Sequence, residues 1–185
     1  MAPRPPRKPR PPLNNRSLGE LALFYVGRFA TTKAKLRTYL GRKLRERGWD
    51  GDREPDLEAL AEGFARHGYV DDASFAMSKA QALAARGYGK RRLVEKLRAA
   101  GVAEGDSEAA RALSDQEAVA AALRFAERRR LGPFAAGGAP DPAQREKMIG
   151  TLVRAGHGFA LARALVALPP GATVDPEALA EHARN

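Results

Sequence analysis

The sequence predicts an all-α protein made of three tandem three-helix repeats in an elongated, curved array. Apolar residues recur at helical spacing from residue 17 to residue 168. Related segments also return about every fifty residues: KLRERGW at 43–49, KLRAAGV at 96–102 and TLVRAGH at 151–157. A unit of roughly 50 residues buries little surface by itself. Stacked units share their cores, so we expect an array.

The first repeat is expected over residues 17–69. Apolar side chains at helical spacing predict three helices in it. They are Leu21, Phe24, Tyr25 and Phe29, then Leu36, Tyr39, Leu40 and Leu44, then Leu57, Leu60 and Phe64. Thr31 or Thr32 is a candidate N-cap for the second helix, and Gly48 and Gly68 are expected to end the second and third.

The second repeat, residues 70–114, is the most regular of the three. Asp71 and Asp72 precede a helix with an apolar stripe, and the arrangement favours helix capping over a metal or catalytic carboxylate pair. After Gly87 and Gly89 a strongly basic helix is predicted from Lys90 to Gly101.

The third repeat is expected over residues 115–168, with Pro142 in the first turn of its second helix. Gly156 should end that helix. His157 is a poor apolar cap there, so we expect Phe159 to take that place. Residues 169–185 are expected to form a C-terminal tail, and residues 1–16, rich in Pro, Arg and Lys, a disordered basic tail.

Positive charge is concentrated in three places. The chain of 185 residues carries a formal net charge of +10. Residues 1–16 hold five basic residues and no acid, residues 33–47 seven against one, and residues 86–98 six against one. Such segregation favours an anionic partner, either nucleic acid or an acidic protein surface.

Other features narrow the class of protein. The sequence has no cysteine, no apolar signal segment and no run of apolar residues that could cross a bilayer, so we expect a cytoplasmic protein without membrane contact.

Catalytic and metal sites are not expected. The three histidines lie far apart, and the acidic loop at 50–56 lacks the glycine and the final glutamate of a calcium loop. Residues 87–90, GYGK, match only part of a phosphate-binding loop and follow no strand. Tyr88 within them could stack on a partner or pack in the core. We therefore expect a binding protein with no enzyme activity, no cofactor and no metal.

The two basic helices are the candidate binding surface. Lys33 and Lys35, and again Lys90, Arg91 and Arg92, stand in a first helical turn, where backbone N–H groups are available to an anion. Cations at that end oppose the helix dipole, which suggests a bound phosphate or carboxylate. The candidate residues are Lys33, Lys35, Arg37, Arg42, Arg86, Lys90, Arg91, Arg92 and Arg98.

Three segments resemble the RecX family of bacterial recombination regulators. They read GYVDDASFA at 68–76, RGYGKRRLVEKLRAAGV at 86–102, and ALFYVGRFATTKAKLRTYLGRKL at 22–44. The resemblance covers about residues 18–168. It implies three three-helix repeats in a curved molecule that binds the RecA filament and inhibits its ATP hydrolysis and strand exchange, in DNA repair and the SOS response.

Two hypotheses follow. The first is a monomeric regulator that binds RecA or the RecA–DNA filament, with accessory contact to single- or double-stranded DNA. The second is a helical-repeat protein that binds DNA directly through its basic helices, as a recognition helix does.

Overall fold

A computed structural model describes residues 10–183, which form ten α-helices and two short 3₁₀ turns. The helices are α1 Asn15–Arg28, α2 Lys33–Arg47, α3 Leu57–Arg66, α4 Asp72–Ala85, α5 Lys90–Ala99, α6 Glu108–Gln116, α7 Ala118–Arg129, α8 Pro142–Arg154, α9 Phe159–Ala167 and α10 Pro176–Ala183. The only β pairing in this range is one bridge between Leu13 and Trp49. The all-α prediction is confirmed. None of the described helices is both long and apolar enough to cross a bilayer.

The chain divides into two compact units between Asp72 and Ala73. The first unit contains α1 to α3 around one apolar core, which includes Leu18, Leu36 and Leu40. The second unit contains two cores. One is built on Phe75 and Leu93, and the other lies among α7 to α10. The expected boundary between residues 114 and 115 falls inside α6, which continues to Gln116.

The inner end of the N-terminal tail is ordered, which corrects the prediction for residues 10–16. Leu13 is fully buried, and its N–H donates to the Gly48 carbonyl at 2.9 Å while its carbonyl accepts from the Asp50 N–H at 2.7 Å. Asn14 then caps α1 through a reciprocal pair of hydrogen bonds with Ser17. Burial of Leu13 and capping by Asn14 therefore order this segment despite the prolines that precede it. The remainder of the expected tail, residues 1–9, lies outside the described residues.

The predicted inner face of α1 is partly wrong. Phe24 is 60% exposed and Phe29 49% exposed, whereas Leu18 and Ala22 are the buried residues of this helix. Burial of Leu18 and Ala22 turns Tyr25 onto Tyr39 of α2, with ring centroids 4.1 Å apart. The helix was predicted correctly, but its packing face is rotated.

Two predictions for the C-terminal third are wrong. His157, not Phe159, follows Gly156 into the core: His157 is 2% exposed and Phe159 56%. The imidazole finds a hydrogen-bond acceptor there, which removes the penalty for burying a polar ring. The expected C-terminal tail, 169–185, contains α10, whose Leu179 is buried in the core of α7 to α9.

Candidate partner-binding surface

The first turn of α2 does not offer its N–H groups to an external anion. The Lys35 N–H donates to Thr32 Oγ1 at 3.1 Å, and the Lys33 N–H donates to the buried Asp72 carboxylate at 3.0 Å. The anion that the helix terminus favours is therefore a side chain of the protein itself. The expectation of available N–H groups at this end is wrong for both residues.

At the start of α5, backbone N–H groups donate hydrogen bonds to backbone carbonyls from the α8–α9 turn. The Gly89 N–H donates to the Ala155 carbonyl at 3.0 Å, and the Arg91 N–H donates to the Gly156 carbonyl at 3.1 Å. Gly89 serves as N-cap without a side-chain hydrogen bond. These two N–H groups are thus also unavailable to a phosphate, and the resemblance of residues 87–90 to a phosphate-binding loop has a packing explanation.

We call residues 87–92 and 155–157 together the glycine joint. A Cβ added to Gly89 would lie 2.3 Å from the Gly156 oxygen, and one added to Gly156 would lie 2.6 Å from the Arg92 nitrogen. Gly156 also has φ +98°, which L side chains rarely adopt. Only glycines allow the two backbones to approach this closely. The joint therefore holds the start of α5 against the end of α8.

The carboxyl end of α4 is capped by side chains from α7 and the α8–α9 turn. Arg124 Nε donates to the Ala84 carbonyl at 3.2 Å, and Arg128 Nη2 donates to the Arg86 carbonyl at 2.8 Å. Two cations at this terminus complement the negative end of the helix dipole. These contacts could not be predicted from the sequence, because the partners are 40 and 42 residues apart and no spacing connects them.

His157 completes this cap. Its Nε2 lies 3.1 Å from the Gly87 carbonyl, so Nε2 carries the proton, and its ring lies 5.8 Å from that of Phe125. Burial lowers the pKa of His157, and the hydrogen bond to Gly87 opposes that shift only in part. Tyr88 packs nearby against the same core, with its ring 6.0 Å from Phe125. Core packing is thus the observed role of Tyr88.

The candidate cations of α2 are engaged by acids. Lys33 Nζ lies 2.8 Å from Glu62 on α3, Arg37 pairs with Glu58 on α3, and Arg42 lies 3.4 Å from Glu46. The hydrogen bond from Lys33 holds the pKa of Glu62 below its usual value. Lys35 lies half-buried beside them in the first turn. Lys33 and Arg37 therefore connect α2 to α3 through ion pairs, whereas Arg42 pairs within α2.

The candidate cations of α5 divide into two sets. Lys90 pairs with Asp115, and Arg92 lies 3.4 Å from Glu95. The exposed side chains of Arg91 and Arg98 make no hydrogen bond or ion pair within residues 10–183. Their spacing places them two turns apart on one helix face. Arg86, just before the joint, lies over the Tyr88 ring at 5.6 Å.

No cluster of three or more metal-ligating side chains occurs among the described residues. Asp56 of the acidic loop caps α3 by accepting the Ala59 N–H at 2.9 Å. Within the described range, the surface offers exposed charged and apolar side chains for binding.

Comparison with known proteins relates the chain to one family. No family model matches the sequence. A regulatory protein RecX of Myxococcus xanthus is 31% identical over 173 residues, which cover 88% of this chain and 90% of that protein. The crystal structure of RecX from Lactobacillus salivarius matches 82% of this chain and 93% of its own at a TM-score of 0.59 and 15% identity. A second crystal structure of a regulatory protein RecX matches 82% of this chain and 70% of its own, at a TM-score of 0.58 and 18% sequence identity. The two structures share the fold, and the sequence identity to the Myxococcus protein shows that the chain belongs to the RecX family.

Proposed function

We propose that this protein regulates homologous recombination by binding RecA, or the RecA–DNA filament, and slowing its ATP hydrolysis and strand exchange. The supporting observation is the identity to a regulatory protein RecX over 88% of the chain. On this proposal the protein is a cytoplasmic monomer that acts by binding and contributes no catalytic group.

Arg91 and Arg98 are the proposed centre of the binding surface. Both are exposed, and an unpaired guanidinium keeps its full capacity for bidentate contact with carboxylate or phosphate. Arg86, in the same unit, extends this surface as a cation stacked on the Tyr88 ring at 5.6 Å. Arg42, in the first unit, is stacked on the Tyr39 ring at 5.7 Å and is a separate candidate contact. Four other candidates act mainly within the protein on this proposal, because their side chains form ion pairs there: Lys33, Arg37, Lys90 and Arg92. Lys35 is half-buried in the first turn of α2 and is not part of the proposed surface.

We further propose that residues 17–69, 70–114 and 115–168 are three-helix repeats in a curved array, with the last boundary shifted to residue 117. The three separate apolar cores support this division. Small-angle scattering that gives a radius of gyration well above the roughly 16 Å of a globular chain of this length would support it. A value near that figure would contradict it.

RecA-catalysed ATP hydrolysis on single-stranded DNA tests the proposal. Adding the protein at a few-fold molar excess over RecA is expected to lower the steady-state rate. Heat-denatured protein is the control. An unchanged rate of ATP hydrolysis, together with unchanged strand exchange, would reject the proposed function.

Direct binding to DNA is the second candidate, and the net charge of +10 favours it. Affinity for bare single- and double-stranded DNA should be compared with affinity for RecA-coated DNA at physiological salt. Tighter binding to bare DNA than to RecA-coated DNA, still measurable at physiological salt, would favour this candidate over the first.

A further inference from the structure

The outward face of α1 carries an apolar patch, which we define as Leu23, Phe24 and Gly27. Leu23 is 51% exposed and Phe24 60% exposed. Gly27, one turn later between them, would meet nothing within 4 Å if it carried a Cβ. The backbone of α1 is therefore bare beside two large apolar side chains, and a partner can approach it closely.

This helix carries more exposed apolar surface than the other described elements. Five large apolar residues of the described range are about half exposed or more, and α1 with its C-cap contributes three of them: Leu23, Phe24 and Phe29. Burying an aromatic or leucine side chain removes a large apolar area from water, which is favourable. Two adjacent side chains left in water on a helix whose other face is well packed are typical of an interaction site.

The surroundings of the patch are strongly basic. Residues 15–47 contain nine basic residues and two acids, Glu20 and Glu46, and two of the basic residues, Lys33 and Arg37, pair with acids of α3. Arg28 follows the patch at the end of α1, exposed, with its guanidinium 6.0 Å from the centre of the Phe29 ring. A partner that covers the apolar patch and presents a carboxylate at its edge would complement Arg28.

Local chemistry favours a protein over a nucleic acid as that partner. Leu23 has no ring on which a base could stack. The tyrosine with the most cations around it, Tyr39, is already stacked on Tyr25 at 4.1 Å.

We propose that Leu23 and Phe24 insert into an apolar pocket with an acidic rim on a partner protein, with Gly27 allowing close approach and Arg28 meeting the rim. The inference rests on the proposed function, which makes the protein component of the RecA filament that partner. The patch belongs to the first unit of the chain and Arg91 and Arg98 to the second, so it adds a docking point in the first unit.

The test uses the full chain with Leu23→Ser and Phe24→Ser together. Phe159→Ser is the matched control, because Phe159 is 56% exposed on α9 and lies outside the patch. Affinity for RecA-coated single-stranded DNA and for bare single-stranded DNA is measured at several salt concentrations, and circular dichroism monitors folding. Phe24→Ala alone is the second variant, which removes the ring without adding a hydroxyl.

The double variant is expected to bind the filament at least about tenfold more weakly, because loss of apolar anchors at an interface has effects of this size. The salt dependence should keep its slope, since no cation is removed. Binding to bare DNA should not change, and Phe159→Ser should bind as the wild type does.

Each other outcome has a distinct meaning. A wild type that does not bind the filament rejects the proposed function itself. A wild type that binds, with both patch variants equal to it, rejects the docking patch and leaves the proposed function standing. Equal loss for bare and coated DNA would assign the patch to nucleic acid and overturn the choice of a protein partner.

Discussion

The two basic helices, α2 and α5, have similar sequences and different surroundings. Each begins with cations in its first turn and continues with an apolar stripe. The start of α2 is capped by the side chains of Thr32 and Asp72, whereas backbone carbonyls of residues 155 and 156 bond at the start of α5. The α2 cations Lys33 and Arg37 pair with α3, but α5 leaves two arginines unpaired.

The same pattern of positive charge therefore has two different roles in α2 and α5. In α2 the cations support the three-helix packing of their own unit. In α5 the glycine joint fixes the helix through its backbone, so its outward side chains are not needed for packing. A basic helix held by backbone can present its arginines to a partner, and this difference makes α5 the better candidate surface.

The largest expected effect comes from breaking the joint. Gly156→Ala would place a Cβ 2.6 Å from the Arg92 nitrogen at φ +98°. The strain should lower the free energy of unfolding by about 2–4 kcal/mol. Urea denaturation followed by circular dichroism measures it. Gly138→Ala is the control, since an added Cβ there would have nothing within 4 Å. Equal urea midpoints for the two variants would contradict the close packing proposed for the glycine joint.

A smaller effect is expected at the cap of α2. Asp72→Ala removes the acceptor of the Lys33 N–H and should cost about 1–2 kcal/mol. Asp72→Asn keeps an oxygen acceptor and should recover most of that loss. The same denaturation measurement applies. If Asn were as destabilising as Ala, the capping role would be wrong.

His157 should make stability depend on pH. Burial lowers its pKa in the folded protein, so the neutral ring is favoured there, and stability is full above the unfolded pKa of about 6.5. Stability should then fall as pH drops from about 6.5 towards the folded pKa. His157→Asn should reduce the difference in melting temperature between pH 7 and pH 5, whereas His182→Asn, at an exposed site, should not. Parallel pH profiles for wild type and His157→Asn would contradict this.

The smallest effect is expected from the ion pairs of α2. Glu62→Gln removes the carboxylate that Lys33 contacts at 2.8 Å, and both side chains are substantially exposed at 41% and 31%. Screening by solvent keeps the loss of unfolding free energy small, and added salt should diminish it further. Glu146→Gln, an exposed acid on α8, is the control. A loss that persists in high salt would show that the pair is more than a surface contact.

Local features of the fold could be predicted from sequence. Helical spacing, the capping threonine and the glycine ends predicted α2, α5 and the glycines at 48, 101 and 156, which all have positive φ. Helix packing faces were less predictable. Leu21, Phe24, Tyr25 and Phe29 have the right spacing for a buried face. The buried residues of α1 are instead Leu18 and Ala22, while Leu21 and Tyr25 pack at the edge of the core and Phe24 and Phe29 are exposed.

Long-range contacts could not be predicted. His157 and Gly87 are 70 residues apart, and nothing in either segment identifies the other. The state of each candidate cation also depends on such contacts, since Lys33 meets Glu62 across 29 residues and Lys90 meets Asp115 across 25. Sequence alone could identify the basic helices but not which of their charges remain unpaired.

Binding of three variants to RecA-coated single-stranded DNA tests the central claim most directly. Arg91→Glu with Arg98→Glu should weaken binding about tenfold or more and flatten its salt dependence. Lys33→Met with Arg37→Met should bind within about twofold of the wild type, since these cations are paired inside the protein. Arg53→Glu with Arg66→Glu controls for net charge. An equal loss of affinity in all three double variants, or a loss of affinity only in the α2 variant, would contradict the assignment of the binding surface to α5.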